Sequence, residues 1–275
     1  MRGAFALSAR VRQVKIDTAL VPVDLSEYSL RVLKYAPLLK QIGVFKVYLL
    51  HVIEAAAGIT FATLATLKEE VRSALEETGR ELRRQGLEVE ILDVRQGHPA
   101  EEIAREARER ASIIAMMSRG RGFFRMKLLG SVAEEVLNMC ARPTLVFREE
   151  RKQARRQLNT VMAALALDSI DEMTLSYALA LARSTGCRLL LTHVLRGGES
   201  GMAITRRLEG LAEELKAEGV SVDVITSVGR ICKEILEIAE HTNADMIVLG
   251  DNECAERPEA RLRGRSVIDC VVRRF

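Results

Sequence analysis

Ser118-Arg119-Gly120-Arg121-Gly122 opens a stretch that ends at Gly130-Ser131-Val132. Nine residues separate Gly120 from Gly130, a hydroxyl follows the second glycine, and Arg119, Arg121, Arg125 and Lys127 bring four cations. An apolar, strand-like run at 113–117 precedes this loop and a helix-like run at 132–140 follows it. The pattern is suited to phosphate. Glycine removes the Cβ that would hold an anion away from backbone N–H groups, and a helix start adds partial positive charge. Asp24 ends another strand-like run at 19–23, where its carboxylate could accept hydrogen bonds from ribose hydroxyls. Val52 ends a third at 47–52, where backbone groups could read the edge of an adenine.

Each residue also has a purely structural use. Asp24 can cap the helix beginning near Ser26. Ser131 and Glu134 have the S-x-x-E spacing of a capping box, although a capped helix start is also where phosphate docks. Gly120 and Gly122 can serve a tight turn, and the cations can form a solvated loop face.

The elements that must position these residues alternate. Runs at 19–23, 47–52, 89–94, 113–117 and 144–147 are rich in Val, Ile and Leu, as buried parallel strands are. Helical periodicity marks 29–39, 66–85, 99–110 and 132–140. This alternation predicts an α/β fold with an open parallel sheet and helices on both faces. Ligands in such sheets bind beyond the carboxyl ends of the strands.

The pattern then recurs. Val47-Tyr48-Leu49-Leu50-His51-Val52 returns as Leu189-Leu190-Leu191-Thr192-His193-Val194, and Tyr35-Ala36 returns as Tyr177-Ala178. The 88–97 segment returns as 221–229 with small shifts, and 111–116 returns as 244–249. Four ordered landmarks indicate tandem duplication, with domains at 1–150 and 158–275. The polar run 148–157, with five cations and two glutamates, reads as a solvated linker. From His51 to Gly97 is 46 residues but from His193 to Gly229 only 36, which puts an extra turn or loop near 55–65.

Composition excludes several classes. Aromatic residues are 4% with no Trp, so base-stacking platforms are not expected. A net charge of +3 is too mild to argue for nucleic acid. No apolar run reaches membrane-spanning length, and Arg10, Arg12 and Lys15 interrupt the 4–7 apolar patch too soon for a signal peptide. The five cysteines are scattered and form no CxxC, which points to reduced thiols and a soluble cytoplasmic protein.

Together, Leu20-Val21-Pro22-Val23-Asp24, Leu50-His51-Val52 and the Gly120…Gly130-Ser131 spacing resemble the universal stress protein family, in two tandem copies covering nearly the whole chain. The resemblance implies a Rossmann-like, adenine nucleotide alpha hydrolase-like fold. It also implies ATP or a related adenine nucleotide in the first domain, with Mg²⁺ left open. The matching nucleotide-contact positions are Asp24, Val52, Gly120, Gly130, Ser131 and Val132. The family motif begins with one further glycine, and Met117 stands in its place. Its side chain could fill space beside the phosphates.

The second copy departs further. Gly250 opens its loop, but Glu253 takes the position of Gly120, and Arg265 separates Gly264 from Ser266. Asp168 is the candidate counterpart of Asp24. Nothing after 266–274 matches 144–147, so the second sheet is expected to lack a fifth strand. In this family that strand commonly pairs across a two-fold dimer. The resemblance therefore implies an intramolecular pseudo-dimer, with homodimerisation and protein partners left open. No nucleophile, Walker A loop or metal-ligand spacing is present, so an enzyme is not expected, slow ATP hydrolysis aside. Two functions stand: a nucleotide-binding stress-response regulator, or a tandem interaction module without a nucleotide.

Overall fold

A computed structural model describes residues 11–54, 61–118, 129–139, 142–148, 157–167, 171–250 and 267–275. The chain divides into two compact units. The first is Ile16–Arg156; the second is Gln157–Phe275 together with the residues before Ile16. The expected 1–150 span therefore begins later. Residues 11–15 belong with the second unit, where the Arg12 backbone N–H donates to Ser176 Oγ at 3.0 Å.

In the first unit the chain runs β1 (Thr18–Pro22), a 3₁₀ helix (Ser29–Tyr35), α1 (Ala36–Gln41), β2 (Lys46–Leu50) and β3 (Val52–Glu54). It continues through α2 (Phe61–Arg84), β4 (Glu88–Ile91), β5 (Arg95–Gly97) and α3 (Pro99–Arg110) to β6 (Ile113–Met117), α4 (Ser131–Met139) and β7 (Thr144–Phe147). Five parallel strands are ordered β4-β2-β1-β6-β7, with β3 and β5 paired as a small extension. All five residues of β6 are buried, as expected for a strand covered on both faces. The helix expected over 29–39 is instead split. Pro37 has no N–H to bond back to Leu33, and the segment before Ala36 tightens to 3₁₀.

The second unit runs β8 (Thr160–Ala164), α5 (Asp171–Thr185), β9 (Arg188–Leu195), α6 (Gly201–Ala217), β10 (Val222–Val228), α7 (Ile231–His241), β11 (Met246–Leu249) and α8 (Val267–Arg274). Its parallel sheet has the order β10-β9-β8-β11, so among the described residues it has four strands where the first unit has five. The expectation of uniformly reduced thiols fails. Cys232 on α7 is disulfide-bonded to Cys270 on α8, across a core cluster containing Ile235, Ala239 and Val271. Cys187 is a free, buried thiol, and burial pushes its pKa up.

The repeat is register-true. Thr18 paired with Lys46 becomes Thr160 paired with Arg188, and Pro22 with Leu50 becomes Ala164 with Thr192, a constant shift of 142. The units differ at one place in the ladder. Residues 222–228 pair one for one with 189–195. In the first unit Ile91 pairs with Leu49 and pairing resumes at Arg95 with Val52. Leu92, Asp93 and Val94 therefore lie opposite only Leu50 and His51, which is a one-residue β-bulge. The length difference expected near 55–65 is in part helical. Aligning Gly86 with Gly219, which both end helices, puts buried Leu75 and Leu82 on buried Leu208 and Leu215. On that alignment α6 starts opposite Lys68, and α2 has a further seven residues, 61–67, before it, about two turns.

Candidate functional site

The carboxyl ends of β1, β2 and β6 carry the predicted site. His51 fixes the first two: its Nδ1 lies 2.8 Å from the Val23 carbonyl, to which only an N–H can donate. His193 repeats this contact with the Leu165 carbonyl at 2.8 Å. The paired histidines thus tie neighbouring strand ends together, in keeping with the packing role their equivalent positions suggest.

Asp24 lies in the turn after β1. Its Oδ1 accepts from the Ser26 backbone N–H at 3.0 Å and from the Ser26 hydroxyl, and Ser26 Oγ in turn accepts from the Ser29 N–H at 3.1 Å. The turn needs this support because Leu25, between them, has φ +58°, a conformation unfavourable for a side-chain-bearing residue. Asp24 thus closes the turn and does not cap a helix near Ser26, since the helix begins at Ser29 with Tyr28 at its N-cap and no side-chain cap hydrogen bond. A carboxylate offers about four lone-pair directions.

Val52 begins β3. The Arg95 N–H donates to the His51 carbonyl at 3.3 Å, so by the alternation of a parallel ladder Val52's own N–H and C=O face away from β5. That is the edge toward the end of β1, where a base could be read.

Ser118 follows β6 and is buried. Tyr28, from the β1 turn, places its hydroxyl 3.3 Å from Ser118 Oγ, and the Gly130 N–H donates to the Ser118 carbonyl at 2.7 Å. These contacts bring the Asp24 turn and the start of α4 to one end of the sheet. The Glu134 N–H donates to the Gly130 carbonyl at 2.9 Å, so Gly130 is the N-cap and Ser131 the first helical residue. This corrects the capping-box reading, which requires Ser131 at the cap. Ser131 is exposed, and Val132 after it is half-buried. The N–H groups of Ser131, Val132 and Ala133 have no intrahelical acceptor, the arrangement that favours an anion. Met117 ends β6 opposite Phe147 and is only 4% exposed. Gly120, Gly122, Arg119, Arg121, Arg125 and Lys127 lie outside the described residues.

The second unit differs at the same strand end. The shift of 142 carries Asp24 onto Ala166, not Asp168, because Val23 and Leu165 make the same backbone bond to Leu50 and Thr192. Asp168 itself, like Glu253, Gly264, Arg265 and Ser266, lies outside the described residues. Leu167 repeats the left-handed turn at φ +62°. Here the carboxylate of Asp171, 3% exposed, accepts from the Ala166 N–H at 2.9 Å and from the Leu167 N–H. The protein's own anion sits on the turn. Nearby, Glu199 lies 3.2 Å from His193 Nε2. The Arg196 backbone N–H, and then His193, hold the Glu199 carboxyl below the usual range.

Among the described residues no group of three His, Cys, Asp or Glu is placed to hold a metal, and no helix is long and apolar enough to cross a membrane. The family profile described as "Universal stress protein family" matches residues 15–148 and again 158–275. The chain belongs to the universal stress protein family. Its tandem form has a solved counterpart: a universal stress protein from Archaeoglobus fulgidus DSM 4304 is 28% identical, with a TM-score of 0.79 over 94% of this chain and 95% of that one. A universal stress protein of Methanocaldococcus jannaschii is 29% identical over 142 residues, 49% of this chain and 83% of that protein. A putative universal stress protein from Pseudomonas aeruginosa UCBPP-PA14 shares the fold at 17% identity, with a TM-score of 0.61 over 94% of this chain and 90% of that one.

Three features of this universal stress protein escaped the sequence reading: the bulge at 92–94, the Tyr28–Ser118 contact and the Asp171 clasp. Only the first had a usable signal, because 88–97 is one residue longer than 221–229.

Proposed function

We propose that the first unit binds an adenine nucleotide, ATP or a close relative, as a conformational signal, and that the second unit binds none. The observation that carries this reading is the Tyr28–Ser118–Gly130 connection, which puts a carboxylate and an unsatisfied helix start at one strand end. Asp24 would receive the ribose, the Val52 backbone the base, and the first N–H groups of α4 the phosphates. The bound nucleotide supplies negative charge and a rigid ring; the residues supply binding and no evident chemistry, so the protein is read as a regulator rather than an enzyme. In the second unit Ala166 offers no carboxylate and Asp171 already fills the turn.

The competing reading, an interaction module without a nucleotide, is favoured by one observation. Met117 replaces the motif's first glycine and is buried at the site's edge. Titration calorimetry with ATP and Mg²⁺ separates the two. Saturable heat with one site per chain, strengthened in Met117→Gly, supports the nucleotide. No heat up to millimolar ATP, and none after Met117→Gly, leaves the interaction module.

A further inference from the structure

The first unit holds a cavity of about 550 Å³ on the flank of the β3–β5 pair, walled by α2, the 92–94 bulge, β5 and α3. None of the candidate nucleotide residues lines it.

Behind Arg95, which lines it, lies a buried charge that the other copy does without. Glu106 on α3 is 1% exposed, 2.8 Å from Arg95 Nη2 and 2.9 Å from Arg110 Nε. Aligning the helix starts Pro99 and Ile231 places Ile238 at this position, and ladder register places Ser227 at that of Arg95. Burying a carboxylate is unfavourable unless it is paired, so the copy that carries it gains something from fixing Arg95.

Four cations, Lys68, Arg72, Arg95 and Arg105, line the cavity with three carboxylates, Glu69, Asp93 and Glu102, of which Glu102 is paired with Arg105. Arg95 Nε is buried with no hydrogen-bond partner. Lys68 and Arg72, one turn apart on α2, make no ion pair among the described residues, and Lys68 is half-buried. Asp93 also has no partner there but is exposed, so water serves it. Arg72 and Glu69 are exposed and served by water in the same way, so the groups short of solvent are Lys68 and Arg95 Nε, with Glu106 Oε1 also lacking a hydrogen bond but 2.8 Å from Arg95 Nη2. Donors so placed favour an acceptor-rich anion.

The space itself belongs to the first unit. In the second, the ladder is unbroken and Thr205 Oγ1 on α6 lies 3.2 Å from Thr226 Oγ1 on β10. Arg72 stands where Thr205 does, and the bulge stands where Thr226 does, so the helix and strand part.

We propose that this cavity binds a small phosphate monoester bearing hydroxyl groups. Lys68, Arg72 and Arg95 take the phosphate, and Asp93 and Gln96 at the rim meet the hydroxyls. The volume exceeds a bare phosphate and lies within the range of small-molecule sites. Sugar phosphates and nucleoside monophosphates share this chemistry.

The test is calorimetry on the full chain with ribose 5-phosphate, ribose and AMP. Saturable binding of ribose 5-phosphate but not ribose is expected, weakened about tenfold or more in Lys68→Gln/Arg72→Gln, because a charge-assisted contact is lost at each position. It should be unchanged in Asp24→Ala, so failure of the nucleotide site leaves this result readable. AMP binding that survives Asp24→Ala and is lost in the double variant assigns the ligand to the nucleoside class. Neither side chain has a hydrogen bond or ion pair among the described residues, so melting should not move; should it fall, Lys68→Gln alone gives the same readout. Equal binding to wild type and variant, equal binding of ribose, or no binding at all overturns the proposal.

Discussion

The turns after β1 and β8 have the same backbone but different carboxylates. Each bends through a leucine at positive φ, and each is pinned by a histidine from the neighbouring strand. In the first unit the carboxylate precedes the leucine and sits at the strand end, with Ser26 and Ser29 completing the turn. In the second it comes from Asp171 on α5, buried, reaching back onto the turn's N–H groups. Ser29 and Asp171 are equivalent under the 142-residue shift, so the duplication moved the negative charge from the mouth of the site to its floor. A fold can keep its strained turn while changing whether that turn faces a ligand or itself.

The comparison can be broken at several points. The largest effect should come from the crosslink between α7 and α8 in the second unit. Closing a loop with a sequence separation of 38 stabilises by about 4 kcal/mol in the chain-entropy account. Reduction, or Cys270→Ser, should therefore lower the melting of the second unit and leave the first unmoved; a thermal scan with and without reductant checks this. Next is the buried carboxylate. Replacing Glu106 by Ile leaves Arg95 without its ion pair and Arg110 with only the longer one to Glu90, at a cost of about 3 kcal/mol. Adding Arg95→Ser, which copies the second unit, should recover part of the loss, and urea unfolding of the single and double variants measures the coupling.

A smaller and asymmetric pair follows. Asp171→Ala should destabilise by about 2 kcal/mol, because two backbone N–H groups lose a charged acceptor in a buried place. Asp24→Ala should cost about 1 kcal/mol through the lost turn hydrogen bonds to Ser26 yet weaken ATP binding about tenfold, which calorimetry would read. Equal effects on stability would remove the distinction between a floor and a mouth. The smallest effect concerns pH. Glu199 has a depressed pKa when folded, so its contribution is complete above the ordinary carboxylate range and fades as pH falls through the folded value. Melting of the second unit should then lose part of its acid sensitivity in Glu199→Gln.

Much of this was readable from residue order. The alternating apolar runs matched the strands to within a residue or two except at 89–94, where β4 stops at Ile91 and the bulge follows, because fully buried parallel strands must be continuous and β-branched. The duplication was visible in His51 and His193. What failed was matching by residue type. Asp168 looks like Asp24, but pairing register fixes Ala166 there, and register is set by backbone bonds that no single residue displays. Glu106 was not singled out, since Arg105 and Arg110 beside it on α3 make it one more helical charge and Arg95 meets it only once α3 lies against β5. Cys232 and Cys270 carry no spacing signal; two helices packed over Val271 bring them together. Gly130 took the cap from Ser131 because the loop closes on Ser118, a contact set by tertiary structure.

The bulge at 92–94 has a genetic consequence. One added residue in a strand ordinarily exchanges its two faces for every position that follows, which a buried sheet does not survive. Here the disturbance is absorbed within three residues, and the chain rejoins its partner at Arg95 as if nothing had been inserted. A gain or loss of a single codon at this point is thus a near-silent event for the sheet and an audible one for the surface beside it. After the duplication, that made this place one where the two copies could drift apart without either ceasing to fold.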